Sequence, residues 1–189
     1  FVVSRRFVPH GNWLMVHLLL LGAVSTAILI WSQHFADTLL RRAAPGGRTF
    51  HGIRLLGHTL GVATVVAGVV TAWWPLVLAG GLLVGVVVIA HVVTLIVQSR
   101  GALPARFAPL VQYYVASGVA LAIGVDIGIV MSGAQLAPDW HDRLYPAHLA
   151  FNLLGWVGLT VVGTVILLWP TVLHTKVSDA VDDTAKRSL

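Results

Sequence analysis

The chain has 189 residues, of which 57% are hydrophobic and only 10% charged, and its mean hydropathy is +0.87. That balance excludes a soluble domain, however large its core, and points to an integral membrane protein. The net charge is +5 with no glutamate and no cysteine, which excludes disulfides, iron–sulfur clusters and thiolate-bound haem and leaves nine histidines as the soft ligands.

A short polar lead over 1–12 carries Arg5, Arg6 and His10. Trp13 to Leu40 is then nearly unbroken apolar sequence with His17 near one end and His34 near the other. At about 1.5 Å rise per residue it crosses a hydrocarbon core of about 30 Å, and its two imidazoles stand about 25 Å apart along the axis. Arg41, Arg42, Pro45, Gly46, Gly47 and Arg48 form a hinge. A second helix is expected over about 51–73, and Trp74-Pro75 reads as a tight corner. A third is expected over about 76–98, and 100–106, with Gly101 and Pro104, is the next break. A fourth covers about 109–131. Gln135 to Asp142 reads as a polar loop, and a fifth helix covers about 144–169, with Pro170 near its end. The expected fold is an all-α integral membrane protein, an up-down bundle of five transmembrane helices over 1–175, with 176–189 as a polar tail or linker. No internal repeat is visible.

Lys and Arg set the orientation. Arg41, Arg42, Arg48, Arg54, Arg100, Arg106, Lys176, Lys186 and Arg187 fall on one side, against Arg5, Arg6 and Arg143 on the other. The excess places the first loop and the C-terminal tail in the cytoplasm of a bacterial cytoplasmic membrane. Trp13, Trp73, Trp74 and Trp140 form an outer belt and Trp169 an inner one. The Arg clusters read as orientation signals and not as a nucleic-acid surface. The sequence starts at Phe1 and shows no signal peptide, so it reads as a segment of a longer protein. An outer domain downstream needs one more spanning helix.

Folding these helices up sorts the histidines by depth. The outer group is His17 with His141 and His148; the inner group is His34, His51, His58 and His91. A histidine inside a hydrocarbon span is costly and defaults to a functional reading, whereas His10, His51, His141 and His174 fit as interfacial residues without a ligand. The leading ligand is haem b, one or two, held by axial nitrogens from facing helices. His17 with His148 is the expected outer pair, and His34 with His58 or His91 the inner one. Copper or zinc on His34, His58 and His91 is the alternative. Gly57 and Gly61 beside His58, Gly22 after His17, and Gly155 and Gly158 after His148 either clear room for a macrocycle or let helices pack closely, as Gly81-x-x-x-Gly85 and Gly124-x-x-x-Gly128 do. Asp126 is the only carboxylate deep in a span, a candidate for a proton route from quinol or for a bond to a ligating histidine, or else a residue of a polar crevice. Asn152 is placed to join the outer site, and Gln112, Tyr113 and Tyr114 mark the inner part of the fourth helix. Arg143 or Arg54 could pair with haem propionates.

WLMVHLLLLGAVSTAILIWSQHFADTLLR, LPARFAPLVQYYVASG and AHLAFNLLGWVGLTVVGTVILLWPTVLHTK resemble the N-terminal membrane region of actinobacterial membrane-anchored multicopper oxidases, including copper nitrite reductase-like proteins. The resemblance covers nearly the whole chain, and the placement of His17, His34 and His148 is its distinctive part. A more distant likeness is to the histidine-bearing helices of haem-copper oxidase subunit I. The resemblance implies a cupredoxin domain outside the membrane as partner, with this module passing electrons from quinol through haem to it. No cupredoxin-like run of strands and no type 1 copper cysteine lie in this chain, so no catalytic residue is assigned. The rival expectation is a structural anchor or accessory subunit of a respiratory complex, oligomeric in the lipid bilayer and without its own cofactor.

Overall fold

A computed structural model describes residues 10–102, 110–133 and 137–173. Five long helices, α1 to α5, account for nearly all of them, and no strand occurs among the described residues. Helix α1 spans 11–40. It runs as regular α-helix over Gly11–His17, widens to a π-helical stretch over Leu18–Val24, and returns to α-helix over Ser25–Leu40. Arg41 at φ 47° ends it in the left-handed region, with the Arg42 amide donating back to the Asp37 carbonyl at 3.3 Å. Helix α2 spans Gly47–Val70, entered through Gly46 at φ 78°. A turn with Ala72 at φ 53° leads into α3, Trp74–Arg100, which carries Pro75 in its first turn, where no amide is needed. Helix α4 spans Val111–Met131, and α5 spans 138–172. Like α1, α5 is interrupted: Pro138–Leu149 and Leu159–Val172 are α-helical and Ala150–Gly158 is π-helical.

Two expected boundaries shift. Helix α2 starts four residues earlier than 51 and stops at 70, because left-handed residues on both sides fix its ends. The expected loop before the fifth helix is helical from Pro138 onward. Proline suits the first turn of a helix and Asp139 complements the positive end of its dipole. The expected residues 103–109, 134–136 and the tail 176–189 lie outside the described residues.

Each helix is long and apolar enough to cross a bilayer, from 21 to 29 residues with mean hydropathy between 1.7 and 2.7. The surface is correspondingly inverted: Leu56, Leu60, Val86, Ile89, Val93 and Leu154 all point outward. Water penalises such a face and lipid does not, so the chain is a multi-pass membrane protein. Its upper end is taken here as the one with the start of α1, the α2–α3 corner and the start of α5. Its lower end holds the 41–46 loop.

Without a hydrophobic drive between helices in lipid, close backbone contact holds them together. A Cβ on Gly80 of α3 would lie 2.6 Å from the Val65 amide nitrogen of α2, so these two helices touch through their backbones. Gly118 of α4 receives the Val92 side chain of α3. Helices α2 to α5 thus pack in sequence as antiparallel neighbours, and α1 packs against α2, α3 and α4. The apolar centre is Ile28, Leu29, Val62, Val84, Val88, Leu121 and Trp156, contributed by all five helices.

Candidate functional site

The upper half of the bundle holds a partly open cavity of about 550 Å³, lined by residues from all five helices. Its walls are mainly valine, leucine and isoleucine, and His17 from α1 and His148 from α5 stand among them. Their ring centres are 6.3 Å apart, with the ring planes inclined at 24°. The expected outer pair is therefore brought together, although 131 positions separate the two in sequence.

Hydrogen bonding fixes both rings in the same way. His17 Nδ1 lies 2.9 Å from the Trp13 carbonyl, and His148 Nδ1 lies 2.9 Å from the Gly124 carbonyl. A carbonyl only accepts, so each Nδ1 carries the proton and each Nε2 keeps its lone pair. A backbone carbonyl on the far nitrogen is also what orients an imidazole for metal binding and makes it more basic. Trp13 stacks on His17 at 3.9 Å between ring centres and holds it from one face. His148 is seated against α4, where a Cβ on Gly128 would come within 3.0 Å of its Cε1. Gly124 likewise makes room for Asn152, whose Nδ2 donates to the His148 carbonyl at 2.7 Å. The Gly124/Gly128 spacing, which reads in sequence as helix packing, is what admits the His148 and Asn152 side chains.

Both π-helical stretches lie at this site. One begins immediately after His17 and the other two residues after His148. A π-turn widens the helix and rotates the residues that follow, and such turns concentrate at functional sites. Neither is signalled by the sequence. Below the cavity, Trp156 donates from Nε1 to Ser25 Oγ at 2.9 Å, closing the floor between α5 and α1.

The inner histidines behave differently. His91 is fully buried and both its nitrogens are taken: Arg54 Nη1 donates to Nδ1 at 3.0 Å, and Nε2 donates to Ser32 Oγ at 2.9 Å. His58 is fully buried, with Nε2 donating to the Leu21 carbonyl at 3.0 Å. His34 is exposed, edge-on to Trp31. The structure does not bring His34 together with His58 or His91, and no group of three metal-ligating side chains forms among the described residues. The reason is azimuth. Ser32 and Gln33 face the interior, and the next residue is turned about 100° further round the helix.

What occupies the lower interior is a polar network centred on Arg54, the one member that the charge count had grouped with the first loop. Arg54 is buried within α2. Its Nη2 donates to Gln33 Oε1 at 3.1 Å and to His51 Nδ1 at 3.2 Å. Gln33 and Gln98 donate in turn to Asp37 Oδ1, at 3.0 and 2.7 Å. Arg54 is thus far from the cavity and unavailable to a propionate there. Arg143 is exposed over the Trp140 ring, and His141 lies exposed at the cavity rim. Asp126 is exposed on the outside of α4 and touches neither histidine site. Tyr113 and Tyr114 are buried, Tyr114 paired with Thr164 at 3.1 Å, while Gln112 is exposed. Gly57 and Gly61 pack against Val87 and Val84 of α3, not around a cofactor.

No family model, curated protein or solved structure matches this chain.

Proposed function

We propose that this chain is a membrane electron-transfer module that binds haem b in the upper cavity, with His17 and His148 as the axial pair. One observation carries the reading: two imidazoles from separate helices, each with Nδ1–H bound to a carbonyl and Nε2 unprotonated, face one apolar cavity at 6.3 Å between ring centres. With each Nδ1 bound to a carbonyl, the two Nε2 lone pairs are what would hold the iron. The volume of about 550 Å³ falls in the range of cofactor pockets, about 300–1,000 Å³. Bound there, haem b supplies a one-electron couple. The protein's part is to hold the iron ligands in register, exclude water with valine and leucine walls, and close the floor with Trp156 and Ser25.

Quinol as donor and an outer copper domain as acceptor follow from the resemblance and belong to the same proposal. With Arg54 taken out of the loop count, eight positive residues remain against three, which still favours a cytoplasmic C-terminal side. A single haem fits better than two, since both nitrogens of His91 are hydrogen-bonded and His34 is turned outward, away from His58 and His91. The hydrogen bonding of His91 supports a second reading: a histidine in these spans can be structural, and the chain a membrane anchor without a cofactor. A reduced-minus-oxidised spectrum of the purified protein, with iron and copper analysis, separates the two. Haem with an α-band lost in His17→Ala and His148→Ala supports the first; folded protein free of iron and copper supports the second.

A further inference from the structure

Two buried side-chain nitrogens among the described residues have no hydrogen-bond partner, Arg54 Nε and His58 Nδ1. They stand four positions apart on α2, one helical turn, and both side chains face the interior. Their chemistry is opposite. An arginine Nε–H can only donate. His58 has its Nε2–H committed to the Leu21 carbonyl, so the Nδ1 of the neutral ring can only accept.

A carboxylate or chloride would satisfy Arg54 and oppose the His58 lone pair. An ammonium would do the reverse. Water accepts through its oxygen and donates through its hydrogens, and buried polar groups without protein partners recruit it for that reason. We propose that internal water is bound between Arg54 Nε and His58 Nδ1.

The site has a consequence for the bundle. Gln98, Asp37, Gln33 and Arg54 already form one network at the lower end. Water joins that network to His58, and through it to the Leu21 carbonyl in the π-helical stretch directly after His17. His58 is then a positioning residue: its tautomer, fixed from below, holds the π-helical turn that follows His17. The proposal stands on the two orphaned atoms and is independent of what the cavity binds.

The test is proton-detected solid-state NMR of the full ¹⁵N-labelled chain in lipid bilayers. The expected result is magnetisation transfer from water to Arg54 Nε–H and to the His58 ring, with His58 as the Nε2–H tautomer and its Nδ1 shifted from the unbonded position. Arg54→Lys keeps the charge and removes Nε–H; that Nδ1 shift should be lost while Nε2–H persists. Absence of water contact at either atom overturns the proposal, as does a ring protonated on Nδ1. A doubly protonated ring whose signals follow chloride concentration overturns it in favour of an anion site. Should Arg54→Lys fail to fold, the water contacts of the unmodified protein decide the question alone.

Discussion

Arg54→Met tests whether the buried polar network holds α1, α2 and α3 together. The substitution keeps much of the side-chain volume and removes every donor. Three acceptors lose their partner: His91 Nδ1, Gln33 Oε1 and His51 Nδ1. The first two belong to side chains no more than 4% exposed, and the methionine fills the space the guanidinium leaves, so neither regains a partner; His51 is only half-buried and can turn to solvent. Each buried acceptor left unpaired costs about 1–3 kcal/mol. Asp37 also loses the positive charge that balances it, while relief from burying a guanidinium works in the opposite direction. The net expectation is a destabilisation of about 3 kcal/mol. It is measured by reversible unfolding in mixed micelles, followed by tryptophan fluorescence. Combining it with His91→Phe isolates the shared bond, and the two losses should fall short of additive by about 2 kcal/mol. An Arg54→Met protein within about 0.5 kcal/mol of the native one, or strictly additive losses, would refute the account of the network.

Removing either cavity imidazole, in His17→Ala or His148→Ala, should abolish a haem α-band, and His34→Ala should leave it unchanged; spectra of the three purified variants check this. Gly80→Leu drives a side chain into the Val65 backbone and should lower stability by about 1–3 kcal/mol or more, read in the same unfolding assay. Ser25→Ala leaves the buried Trp156 indole N–H without its acceptor, for a loss of about 1–3 kcal/mol and a shift in tryptophan emission. Asp126→Asn, by contrast, should leave the spectra unchanged, because the carboxylate contacts neither site; a marked spectral change would restore Asp126 to the chemistry.

The spans were legible because they depend on length and hydropathy alone. Trp13 to Leu40 is helical throughout, whereas the corner read at Trp74-Pro75 falls at 71–73, with Ala72 left-handed, and Trp74 and Pro75 already belong to the first turn of α3. The outer pair was legible too, since His17 and His148 fall at matching depth on helices whose upper ends coincide. His34 parts from His58 and His91 on the coordinate that depth leaves open. His34 points outward while Ser32 and Gln33, two and one positions earlier, point in. Arg54 was misread for a related reason: an arginine near a helix start resembles an interfacial charge, and only its neighbours on α1 and α3 make burial tolerable. Gln33, Gln98 and Asp37 were the available signal, as polar residues at one level of two apolar helices.

By itself, then, the order of residues settled that the chain crosses a membrane five times as helices, because a bilayer demands runs of apolar residues with their backbone bonded internally. Which imidazoles meet was decided only by packing. Gly124 and Gly128 seat one ring, the two π-turns lie beside both, and Arg54 draws His91 away into hydrogen bonds. The rotation of one helix against another is set by contacts far apart in sequence, and no local pattern encodes it.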